Sequence, residues 1–223
     1  MSELIKVPTI AELYVDNIQE AFKTEQLNFL LNHEPKKEWV KVHPFIKGYN
    51  YIPIDKVEFL LRKIFKRYRI EITAQGTSFN GVYVTVRVHY WNPVFNDWDF
   101  HDGIGAVQLQ TAKGTSPADL NNINNGALSM AYPIAKTVAI KDACDHFGKL
   151  FGCDLNRKDT LSFSIDSSLQ PVDYDTLKAL YDDLETSLLI TPEMEIVATE
   201  IFKNKDESRY KKLYNQLIKL QTK

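Results

Sequence analysis

The spacing of apolar positions changes period along this chain, and each change marks an element. Over residues 9–32 (TIAELYVDNIQEAFKTEQLNFLLN), Ile10, Leu13, Ile18, Phe22, Leu27, Leu30 and Leu31 recur at mostly helical intervals. This predicts one or two amphipathic helices ending near Asn32 and Pro35. After the linker EPKKEWVKVHPFIKG, the apolar and aromatic run 49–54 predicts a short strand, and a helix over 55–68 follows with Asp55 as its N-cap. Val57, Leu60, Leu61 and Ile64 make that helix's apolar stripe, while Arg62, Lys63, Lys66 and Arg67 point elsewhere.

Period two takes over from residue 69. Ile70, Ile72 and Ala74 alternate with Arg69, Glu71 and Thr73; GTSFNG has turn chemistry; Val82, Val84, Val86 and Val88 then share one face opposite Tyr83, Thr85, Arg87 and His89. After a second turn, NPVFND, the segment WDFHDGIGAVQLQ predicts a third long strand, with Gly103 and Gly105 as bulge or close-approach points. The run TAKGTSPADLNNINN reads as a mobile loop. A long helix is expected from about Ala127 to Leu150, buried along Ile134, Val138, Ala139, Ala143, Phe147 and Leu150. Pro133 falls in its first turn or kinks it, and Gly148 and Gly152 end it. Leu177, Leu180, Tyr181, Leu184 and Leu188 predict another helix, and Thr191-Pro192-Glu193 opens a further one. The fold class is therefore α+β: an antiparallel β-meander of three or four strands packed on a long α-helix, with N-terminal and C-terminal helices. The expected organisation is an N-terminal helical segment (1–35), a core domain (36–165) and a C-terminal helical extension (166–223).

With 223 residues, 44% of them hydrophobic, the chain can bury one substantial core and carry a small appendage. No stretch approaches the roughly 18 consecutive apolar residues of a membrane span, and MSELIKVPTIAEL places acids where a signal peptide has its basic region. A soluble, cytoplasmic protein without a membrane partner is expected. Cys144 and Cys153 lack metal-ligand partners at diagnostic spacing and read as reduced thiols.

A net charge of −2 does not favour a nucleic-acid binder, but the distribution of charge does. From Lys36 to Arg69 there are ten Lys/Arg against three acids, from Asp166 to Glu200 nine acids against Lys178 alone, and the last residues turn basic again. Such segregation allows a basic groove on a nearly neutral protein. The basic end SRYKKLYNQLIKLQTK either packs through Leu213, Leu217 and Leu220 or adds a second contact to DNA or a partner protein.

Two segments carry a resemblance: the Tyr-Ile-Pro-Ile-Asp-Lys-Val strand-to-helix junction within 36–65, and the Ala-x-Lys-Asp-Ala-x-x-x-Phe-Gly helix end within 133–152. At this spacing, with a meander between them, residues 30–160 resemble the bacteriophage single-strand annealing proteins of the Rad-fifty-two-like group. The resemblance implies a curved sheet on a long helix and subunits joined into a ring or helical filament. It also implies single-stranded DNA laid along a continuous groove and annealed without nucleotide hydrolysis, in homologous recombination and repair. By position it implies backbone contacts from Lys41, Tyr51, Lys141 and Lys158. Asp142 and Asp145 stand where animal relatives tend to be basic, and Lys136, Lys149 and Arg157 are candidates to compensate. Lys47 lies in the same basic run. No catalytic residue, metal or cofactor is implied; the expected partners are single-stranded DNA, further copies of the chain, and a host or phage single-strand-binding protein or exonuclease. If phage-encoded, the protein would act in the host cytoplasm.

The competing expectation is a metal-dependent nuclease built on Asp97, Asp99, His101 and Asp102, of which Asp99 and His101 share a strand face. The chain has no G-x-x-x-x-G-K-[ST] motif, which argues against an ATP-driven recombinase.

Overall fold

The computed structural model describes residues 9–44 and 46–221. Packing divides the chain into two compact units: Asn28–Phe163, and the residues up to Leu27 together with those from Ser164 onward. Charge divides at the same boundaries. The first unit carries 17 Lys/Arg against 13 Asp/Glu, the second 10 against 16.

In chain order the elements are helices α1 (Ile10–Leu13) and α2 (Ile18–Leu31), the two-residue strands β1 (Lys41–Val42) and β2 (Asn50–Tyr51), and helix α3 (Ile54–Ile64). The long strands β3 (Tyr68–Ser78), β4 (Gly81–Asn92) and β5 (Asp97–Gln108) follow, then helices α4 (Ala127–Asp145), α5 (Tyr174–Thr186), α6 (Pro192–Asn204) and α7 (Glu207–Gln221). The α+β class and the helix-backed meander are as expected, with three strands in the order β3-β4-β5, all antiparallel.

Several local expectations are corrected. Strand β2 is shorter than the run 49–54 because Pro53, which has no N–H for a ladder, is already the N-cap of α3. Asp55 therefore lies inside the first turn, where its carboxylate meets Lys56 at 2.9 Å. The turn after β3 is only Phe79-Asn80, since Ser78 pairs with Gly81, and the register shift in this sheet falls between Ile72 and Ala74. The 111–125 segment is a loop, as expected, in which Thr111 bridges Ile123 and a 3-10 turn spans Leu120–Asn122.

The most consequential correction concerns α4. Its sheet-facing stripe is Ala127, Ala131, Ala135, Ala139 and Ala143, all buried, whereas Ile134 and Val138 are 43% and 38% exposed. Alanines every fourth residue meet Gly103 and Gly105 on β5, where an added Cβ would overlap the helix backbone at Ala135, Ala139 and Ala143. These glycines are close-approach points, not bulges, because the β4–β5 register runs unbroken. Helix and sheet therefore approach backbone to backbone, and the larger apolar side chains of α4 are displaced onto its flank. Val82, Val84, Val86 and Val88 fill the space between, with Phe65, Tyr90 and Phe147 stacked at one end. Pro133 sits in the body of α4, which ends at Asp145, short of Leu150. Gly148 and Gly152 follow with φ of 123° and 110°, where a side chain is strained.

The second unit buries Leu177, Tyr181, Leu184, Ala198, Ile201, Tyr210, Leu213 and Leu217 between α5, α6 and α7. Leu188 falls outside this stripe: it lies beyond the end of α5 in the left-handed region and is 91% exposed. Among the described residues, no helix is long and apolar enough to cross a membrane.

Candidate nucleic-acid interface

The β1–β2 hairpin and the flank of α4 enclose an open groove of about 620 Å³, lined by His43, Pro44, Ile46, Tyr49, Tyr51, Pro133, Ile134, Thr137, Val138, Lys141, Asp142 and Asp145. Its existence follows from the alanine packing. Because α4 turns its small residues to the sheet, Ile134, Val138 and Lys141 project from the side and form one wall. The hairpin forms the other. Lys41 pairs with Tyr51 across the two-stranded ladder, so the two side chains share a face.

Lys141 and Tyr51, far apart in sequence, meet here: the Lys141 ammonium lies 4.6 Å from the centre of the Tyr51 ring. His43 stacks edgewise on both Tyr51 and Tyr49, at 5.9 and 6.0 Å. With Lys141 over its ring and His43 against it, Tyr51 helps hold the ammonium in place. Tyr49, 44% exposed, is the aromatic that faces open space, and the sequence reading overlooked it. Partial burial pushes the Lys141 pKa down from the ordinary lysine value, against the opposing pull of Asp145.

A second residue without any sequence signal is Asn156. Its side-chain oxygen accepts from the Asn50 N–H at 2.7 Å and its amide donates to the Asn50 carbonyl at 2.9 Å, clamping the segment after α4 to the hairpin beside Tyr51. This clamp carries Arg157 and Lys158, both exposed, to that edge; Arg157 is 3.5 Å from Asp154. Lys47 is exposed in the turn between β1 and β2. Lys136 is exposed on α4 but is not among the groove-lining residues. Lys149 is buried: its ammonium donates to the Leu161 carbonyl at 2.7 Å and lies 3.9 Å from Glu34. Those partners give it a structural position away from the groove.

The two acids of the groove differ in their surroundings. Asp142 accepts the Ile104 N–H at 2.9 Å, closing one amide on the free edge of β5. The pKa of Asp145 is raised to about 6, first by burial and then by Asp142, with Lys141 and His146 opposing. The folded chain thus retains a proton here that the unfolded chain has released. The stabilisation is complete below the ordinary carboxylate pKa and is lost as pH rises through about 6. Asp145→Asn is expected to raise the melting temperature at neutral pH and leave it nearly unchanged near pH 4. It should also strengthen polyanion binding at neutral pH and flatten its rise on acidification; thermal melts and binding isotherms across pH check both.

The four residues of the nuclease expectation do not converge. Asp102 lies on the outer face of the sheet, held by Arg87 through two hydrogen bonds of 2.7 and 2.8 Å. Asp99 is on the opposite face and accepts the Tyr90 hydroxyl at 3.0 Å, with His101 beside it at 3.4 Å from the same oxygen. The Asp97 carboxylate accepts the Trp98 N–H. Among the described residues, no group of three His, Cys, Asp or Glu is placed to hold a metal ion. Compared with known proteins, the chain matches no family model and no curated sequence.

Proposed function

We propose that the 28–163 unit grips single-stranded DNA by its sugar-phosphate side in the groove between the hairpin and α4, and that several copies acting together anneal complementary strands without ATP. The observation that carries this reading is that Tyr51 and Lys141, two of the four positions to which the family resemblance points, meet in one open groove, with Lys41 paired to Tyr51 on the hairpin that forms its wall. Lysines tracking phosphates leave base edges free to pair, which annealing requires. A single protomer offers few such contacts, so affinity depends on repetition around an assembly. Both β3 and β5 are sheet edges, and further copies are the expected neighbours that would cover them.

The test is annealing of complementary oligonucleotides in EDTA without ATP, with light scattering on the same preparation. Annealing faster than the protein-free rate by particles larger than one chain is the expected result. A rate equal to the control, a scattering mass of one chain with and without DNA, or strand cleavage on adding a divalent metal would each defeat the proposal.

A further inference from the structure

The face of the sheet turned away from α4 carries a second arrangement that the groove does not use. Along β5, Trp98 and Phe100 stand two residues apart on this face, 43% and 45% exposed, roughly 6.8 Å apart along the strand. Each has an arginine stacked on it. The Arg67 guanidinium lies 5.3 Å from the Trp98 ring and 4.8 Å from Trp91, and Arg87 lies 3.9 Å from the centre of Phe100. Trp91 meets Trp98 edge to face across the strands at 5.9 Å, fixing its orientation. In the middle of the face the charges cancel: Arg87 is held by Asp102, and His89 and Arg69 approach Glu71 at 2.9 and 3.9 Å. At the tryptophan end they do not. Lys63, Lys66 and Arg67 at the α3–β3 junction form no ion pair among the described residues, and they outnumber the acid at the start of β5, Asp97, whose carboxylate accepts the Trp98 N–H.

Two exposed rings in line, rigidly backed by arginines and bordered by unneutralised cations, suit a ligand that alternates flat rings with negative charge. We propose that this outer face is a second contact for single-stranded nucleic acid, in which successive bases stack on Trp98 and Phe100 while Lys63 and Lys66 meet the phosphates. It rests on the proposed function only for the class of ligand, and it does not need the groove or Lys141. Stacking engages the π-face of a base and leaves its pairing edge open, so the contact is compatible with annealing and indifferent to sequence.

The chain has three tryptophans, so Trp39→Phe leaves Trp91 and Trp98 as the only indole emitters. In that variant a homothymidine strand is expected to quench indole emission in a saturable, salt-sensitive titration, and to do so again after Lys141→Ala. Trp98→Ser should weaken the contact by about fivefold or more. Lys63→Ser with Lys66→Ser, on the surface and needing no repacking, should flatten its salt dependence. Binding by anisotropy without indole quenching, or equal quenching by inorganic polyphosphate, overturns the outer-face site and leaves the groove standing. Emission that shifts with protein concentration and not with the strand makes this face a contact between copies and likewise overturns it. If anisotropy detects no strand binding at all, both proposals fail together.

Discussion

Lys141→Ala is expected to weaken single-strand binding at least about tenfold at low salt, because a charge-assisted contact to phosphate contributes on the order of 1.5–3 kcal/mol. The loss should be the same for every base sequence, since a phosphate contact carries no base information. It should also lower the slope of log affinity against log salt by about 0.7 for each lysine removed along the strand. Lys141 is well suited to the role because half-burial in the groove and the Tyr51 ring hold the ammonium in place. Its long side chain therefore has less rotamer freedom left to lose when a phosphate arrives. Lys203→Ala, which removes the same charge from the other unit, is the control and should change little. Isotherms at several salt concentrations measure all of this. Unchanged affinity and slope in Lys141→Ala would remove the groove from consideration.

Gly105→Ala should produce the largest loss of stability. A methyl group at this position would overlap the Ala135 carbonyl oxygen and the Ala139 nitrogen, both backbone atoms of a helix that cannot yield locally. Either α4 lifts from the sheet or β5 distorts, and both disrupt the layer of Val84, Val86 and the alanine stripe. The expected cost is about 3–5 kcal/mol, at the upper end for single substitutions. At about 2–4 °C per kcal/mol for a chain of this size, the melting temperature should fall by roughly 6–20 °C. A fall of only a degree or two would mean that the close approach of α4 to β5 is not what holds this unit together. Because the groove wall is the flank of that same helix, a folded Gly105→Ala chain should also bind strands less well.

The meander was legible because a strand shows its burial directly. Val82, Val84, Val86 and Val88 alternate with polar residues, and no helical reading accommodates that period. The inner stripe of α3 was equally plain, since Val57, Leu60 and Leu61 are large and the flanking Lys56, Arg62 and Lys63 are not buried. The long helix was found, and Ala139, Ala143 and Phe147 are buried as expected, but part of its stripe was misassigned. Apolar periodicity weights large side chains, so Ile134 and Val138 were read as core and Ala127, Ala131 and Ala135 were missed, although the small size of these alanines is what lets the backbones meet. Leu188 was misplaced in the same way, an apolar residue in the right period but two residues beyond the helix end.

Of the candidate site, the sequence supplied the cations and a resemblance that singled out Lys41, Tyr51, Lys141 and Lys158. It did not separate Lys149, buried against a carbonyl, from Lys141, open to a groove, because a lysine's neighbours are set by packing and not by its own segment. Tyr49 and Asn156 carried no signal for the same reason.

What the sequence determined by itself was the identity and order of the elements and the separation of basic from acidic stretches. Backbone sterics and side-chain period act over a few residues and are written locally. The tertiary structure alone decided that residues near 41, 51, 141 and 156 share one surface, and that residues 9–27 belong to one unit with residues 164–221. Those contacts join segments distant in sequence, and their energies come from shape and close approach, which no local pattern encodes.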